Sequence, residues 1–85
     1  MRKVVNKKHI KLFGKKLAEV RKSKEMTQED LSFKSGLTLS QIARIETGVI
    51  NTSLNTILII AEALDVEPKV LFDFILPKTK KAQTS

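Results

Sequence analysis

The stretch Thr27–Gly48, TQEDLSFKSGLTLSQIARIETG, decides how this 85-residue chain is read. It contains two short helical segments, each opened by a threonine and closed by a glycine. A threonine hydroxyl at an N-cap accepts from free amides of the first helical turn. Asp30 lies three residues after Thr27, in the place of a capping-box acid, and Glu29 and Asp30 complement the positive end of the helix dipole. Gly36 suits the left-handed conformation that ends a helix. Only Leu37 separates it from the second cap, Thr38, and that helix should run over about 39–47 and stop at Gly48.

Spacing makes this pair more than a generic helical hairpin. Counting from Gln28, the small Ser32 is fifth, where two steeply crossing helices leave little room. Gly36 is ninth, where the turn needs positive φ. Ile42 and Ile45 are fifteenth and eighteenth and anchor the second helix on the first. Two helices so joined form a helix-turn-helix.

Outward from this stretch the chain is read as all-α, a compact five-helix bundle with no strand. Ile10, Phe13, Leu17 and Val20 recur at three- and four-residue steps, which predicts a basic amphipathic helix over about 8–23. Gly14 inside it costs about 1 kcal/mol relative to alanine, so a close helix contact is expected there. Ser53 caps a further helix whose expected apolar stripe is Leu54, Ile57, Leu58, Ala61 and Leu64. Pro68 opens a last short helix through about Phe74. Phe13 and Phe72 are assigned to the core. The expected organisation is a basic arm (1–7), the helix-turn-helix domain (8–76) and a flexible basic tail (77–85).

Net charge is +7, unevenly spread. Residues 1–24 hold ten Lys/Arg against Glu19 alone, residues 25–76 three bases against eight acids, and the tail three lysines. Basic balance attracts phosphate, but here pattern must decide. With no cysteine and one histidine, His9, thiolate chemistry, Cys-ligated zinc and a histidine triad have no residues to build them. No nucleophile–base set or phosphate-cradling glycine loop is visible, so an enzyme is not expected, nor a cofactor or metal. The longest apolar run, Ile57–Ala61, is far short of the ~20 residues of a membrane span. Met1–Ile10 does not read as a signal peptide. The expectation is a small cytoplasmic protein without membrane or small-molecule partners.

Several motifs carry a family resemblance. They are Phe13-Gly14-x-x-Leu17-x-x-Val20-Arg21, Met26-Thr27-Gln28-x-x-Leu31-Ser32, Ser35-Gly36-Leu37-Thr38 and Ile42-x-x-Ile45-Glu46-x-Gly48. They continue through Asn51-Thr52-Ser53-Leu54 and Ile60-Ala61-x-Ala63-Leu64 to Leu71-Phe72. On them, the chain from Phe13 to Phe72 resembles the Cro/C1-type (XRE-like) helix-turn-helix family of phage repressors and bacterial regulators. The Asn-x-Ser-Leu stretch and small size are also similar to restriction–modification controller proteins.

The resemblance implies that the Gln28 helix lies across the DNA backbone and the Thr38 helix enters the major groove. It implies that Gln28 bonds a phosphate and braces the recognition helix, and that Arg21 and Glu46 form a partly buried salt bridge. With Ile42 and Ile45 facing inward, the groove would meet Leu39, Ser40, Gln41 and Arg44. Arg44 suits guanine O6 and N7, Ser40 donates or accepts, and Leu39 offers apolar contact to a thymine methyl. Thr27, Thr38, Asn51, Thr52 and Lys34 are phosphate candidates that would fix register. The loop Val49-Ile50-Asn51-Thr52 is uncharged where the family is often basic, so lysines of the first helix or the arm are expected to substitute.

Useful affinity normally comes from two copies on half-sites about one turn apart. Ile59, Val70, Phe74, Ile75 and Leu76 exceed what the core needs and are expected to form a homodimer interface. The expected function is a sequence-specific, double-stranded DNA-binding transcriptional regulator. Its rival is an antitoxin-type interaction module using the same C-terminal apolar surface.

Overall fold

The computed structural model describes residues 6–77. Four α-helices follow in order, α1 (Lys7–Ser23), α2 (Gln28–Ser35), α3 (Leu39–Thr47) and α4 (Leu54–Leu64), then a 3-10 turn over Pro68–Phe72. The expected fifth helix is this turn, so the five-helix count becomes four. A Pro-led segment of five residues closes only i→i+3 bonds before Asp73 leaves helical geometry. The arm and tail lie outside the described residues, except that Asn6 caps α1, Lys7 begins it and Pro77 ends the described chain. Asn6, unassigned in sequence, caps α1 by accepting from the amides of Lys8 and His9.

Both helices of the central pair carry full capping boxes. The Thr27 hydroxyl accepts from the Asp30 amide at 3.0 Å, while Asp30 accepts from the Thr27 amide at 2.9 Å. Thr38 and Gln41 repeat the arrangement at 3.0 Å each way. Gly36 and Gly48 end these helices at φ 79° and 76°, in the left-handed region. Ser32, half-buried at the crossing, donates to the Leu37 carbonyl at 2.6 Å and ties α2 to the turn.

The core is Phe13, Leu17 and Val20 of α1, Leu31 of α2, Ile42 and Ile45 of α3, Ile60, Ala61 and Leu64 of α4, and Leu71. α1 packs on α3 and the 3-10 turn, and α2 packs on α3 and α4. α3, which α1 and α2 both hold, thus has an inner face fixed by two partners.

Three core expectations need correction. On α4 the buried line is Ile60, Ala61 and Leu64, with Leu54 68% and Leu58 44% exposed. α2 and the 3-10 turn pack on α4 and select this face, information the periodicity of a helix with the unbroken apolar run Ile57–Ala61 does not contain. Phe72 is 46% exposed, its ring centroid 5.4 Å from that of Phe13 and tilted 36° to it. Ile59, expected to be exposed, is half-buried beside α2.

Candidate nucleic-acid interface

Burial of Ile42 and Ile45 fixes the rotation of α3. At ~100° per residue, Ser40 and Arg44 must then point outward, while Leu39 falls about 90° from the middle of the buried face, on its flank. All three are exposed, as is Gln41. Leu39 is 42% exposed, a large apolar side chain on the first turn where core packing would hide it. Gln41 is only partly free, since its Oε1 accepts from the Thr38 amide and its Nε2 remains to donate. Thr47, one turn beyond Arg44 and Ala43, donates back to the carbonyls of both.

Three charged or polar side chains lock this rod from behind. Arg21 Nε donates to Glu46 Oε2 at 2.7 Å and Nη2 to Oε1 at 3.1 Å. Nη1 donates to the Met26 carbonyl at 2.8 Å, an acceptor no sequence signal marks. Gln28 Nε2 adds a donor to Glu46 Oε1 at 2.9 Å. One carboxylate on α3 is thereby bonded from α1 and α2 at once. Both side chains of the ion pair are below 10% exposed. The bond to Glu46 raises the Arg21 pKa above its ordinary value, against the opposing effect of burial. Arg21 is occupied here and does not face outward, despite its sign.

The approach of α1 to α3 depends on glycine. A Cβ at Gly14 would fall onto the Ile45 carbonyl and within 2.6 Å of the Glu46 carbonyl oxygen. The close contact expected from the sequence cost of Gly14 is therefore with the C-terminal turn of α3.

The candidates for phosphate contact are scattered. Thr27, Thr38 and Asn51 are exposed. Each threonine hydroxyl accepts within its cap and keeps a proton to donate outward. Gln28 is half-buried and turned to Glu46. Thr52 is half-buried where the loop borders a recess of about 430 Å³ between Ile10, Phe13, Ile57 and Phe72. Lys34 is exposed and borders a second recess with Ile59, Glu62 and Asp65, so it shares its surface with α4 acids. Among the described residues no cluster of potential metal ligands occurs, and no helix is long and apolar enough to cross a membrane.

Of the expected pairing residues, Ile75 is 89% and Leu76 49% exposed. Val70 and Phe74 are half-buried against the core, which narrows the expected patch.

Known proteins share this architecture. A helix-turn-helix family profile matches residues 17–71. Control protein C.BamHI of Bacillus amyloliquefaciens is 47% identical over 64 residues, 74% of this chain and 79% of that protein. The structure of the restriction–modification controller protein C.AhdI from Aeromonas hydrophila superposes with a TM-score of 0.75 at 45% identity, covering 76% of this chain and 98% of that one. The controller C.Esp1396I, as a tetramer in complex with its natural 35 base-pair operator, superposes at 0.70 with 31% identity, over 75% of this chain and 84% of that one. Helix order, the glycine-ended central pair and these matches agree: the chain belongs to the XRE-like helix-turn-helix family and is related to the restriction–modification controller proteins.

Proposed function

We propose that this protein is a sequence-specific, double-stranded DNA-binding transcriptional regulator that occupies an operator as a homodimer, with α3 in the major groove. One observation carries the reading. The exposed side of α3 presents Leu39, Ser40 and Arg44 while the opposite side is pinned by Ile42, Ile45 and the Arg21–Glu46–Gln28 network. Base discrimination needs donors held in register to within a fraction of an ångström, and a braced rod supplies that. Thr27 and Thr38 at the helix starts and the Asn51–Thr52 loop would set the register through phosphates.

The complex of the C.Esp1396I tetramer with its operator supports DNA as the partner and supports assembly of copies upon it. Pairing here would use Ile75 and Leu76, with Phe72, Leu54 and Leu58 among the other large exposed apolar side chains. Val70, Phe74 and Ile59 would contribute from its margins. Localisation with the chromosome in the cytoplasm, and the absence of an enzymatic role, follow from this reading.

Selection of bound duplexes from a random pool tests it. The expected product is a palindromic consensus with half-sites about one helical turn apart. Recovery of no consensus at about 150 mM salt, where sequence-independent phosphate binding is weakened, would refute the reading.

A further inference from the structure

We propose that Lys11, with Lys7 one turn before it, supplies the phosphate-binding charge that the loop after α3 lacks. The inference rests on the DNA-binding reading above and adds to it a defined ionic edge.

Val49–Ser53, which leaves the end of α3, contains no charged residue. The structure sets α1 against the point where that loop departs. A Cβ at Gly48 would come within 2.7 Å of the Lys11 Cα and 2.6 Å of its Cγ. The Lys11 stem therefore crosses the C-cap of α3, and its residue is exposed. Lys7 precedes it by four residues and is exposed as well, so helical geometry sets both ammonium groups on one side of α1. No acid occurs between Lys7 and Ala18. The salt bridges among the described residues are Lys16–Glu19 and Arg21–Glu46, which leaves both lysines unengaged.

A second role competes with this one. Lys11 adjoins the carbonyl end of α3, where a cation offsets the negative end of the helix dipole. That role would act on melting temperature and leave the salt dependence of DNA binding unchanged. A phosphate contact acts on the salt dependence, because each neutralised phosphate releases counterions.

The test is a titration of the full chain with a duplex selected from a random pool, at ionic strengths from about 50 to 200 mM. Because the homodimer sets each lysine on the duplex twice, K11Q should lower the slope of log affinity against log salt by about 1.8, and K7Q/K11Q by about 3.6. Preference for the selected duplex over a scrambled one should not change, and K11R should keep the wild-type slope. Lys16 lies about 200° round α1 from Gly14, which faces α3, so K16Q should behave as wild type. If K11Q melts early through its contact with Gly48, K7Q, one turn removed, carries the same expectation of about 1.8. A wild-type slope in both K11Q and K7Q, or an equal loss in K16Q, overturns the proposal while leaving DNA binding intact. A wild-type chain that binds no duplex would instead defeat the functional reading, and this inference with it.

Discussion

Arg21 and Glu46, twenty-five residues apart, meet edge to edge, with two guanidinium nitrogens on two carboxylate oxygens at 2.7 and 3.1 Å. The pair joins the first helix to the helix proposed to read DNA. Removing one partner strands the other in a buried place, which typically costs about 3–5 kcal/mol. Glu46→Ala should reach that range, because Gln28 loses its acceptor too. Arg21→Met/Glu46→Met, which removes both charges, should recover much of the stability yet bind its site less selectively. Urea denaturation beside competition binding separates the two effects. A Glu46→Ala chain as stable as wild type would deny the pair its bracing role.

Gly14 should tolerate no side chain. In a helix interior, alanine is ordinarily favoured over glycine by about 1 kcal/mol. Here the added Cβ meets backbone carbonyls of α3 rather than a side chain that could swing away. Overpacking of this kind costs about 1–3 kcal/mol, so Gly14→Ala should lower the melting temperature despite the propensity gain. A rise in melting temperature would show that α1 can retreat from α3 freely.

The central helix pair was legible in the sequence because its signals are local. Thr27, Gly36, Thr38 and Gly48 each act within one turn of themselves, and their caps and φ values are set by near neighbours. Gly14 was legible for a different reason, since an unfavourable residue implies a compensating contact. α4 was harder to read. Leu54, Ile57, Leu58, Ile59 and Ile60 make almost any face apolar, and only the packing of α2 and the 3-10 turn chooses between them. Ile59 and Leu58 thus exchanged roles. The Met26 carbonyl that receives Arg21, and the crossing of Lys11 over Gly48, depend on tertiary placement and have no sequence signature.

Arg44 is exposed and bonds nothing through its side chain among the described residues, so its truncation should spare the fold. Arg44→Ala is expected to melt as wild type and to lose about 1–3 kcal/mol of discrimination at a single base position. Thr38→Ala should differ in kind. It removes the cap of α3, costing about 1 kcal/mol of stability, and weakens binding to all duplexes alike. Affinity measured against a panel of single-base variants distinguishes the profiles. Full specificity in Arg44→Ala would transfer base reading to Ser40 and Gln41.

Acid should loosen α2 before it touches the core. The Asp30 carboxylate accepts from the Thr27 amide, and this bond, then that of the Thr27 hydroxyl, holds its pKa below the ordinary 3.8. Folding thus favours the ionised form. Its contribution is complete above the unfolded value and disappears as pH falls through the lower folded one. The difference in melting temperature between wild type and Asp30→Ala should be constant from about pH 5 to 7 and shrink below about pH 4. No difference at any pH would assign the cap to the Thr27 hydroxyl alone, and a difference that persists in strong acid would show that the ionised carboxylate is not its source.

Ile75 and Leu71 offer the sharpest contrast for pairing. Leu71 is fully buried and belongs to the monomer's core, whereas Ile75 is 89% exposed four residues later. A charge at Ile75 meets water in a single chain and an apolar partner in a dimer. Ile75→Glu should therefore leave circular dichroism unchanged while sedimentation shifts toward the monomer. Operator affinity should fall more than affinity for an isolated half-site, because the second copy no longer arrives pre-attached. If Ile75→Glu sediments as wild type does, pairing must be sought around Leu54 and Leu58, the exposed leucines one turn apart on α4.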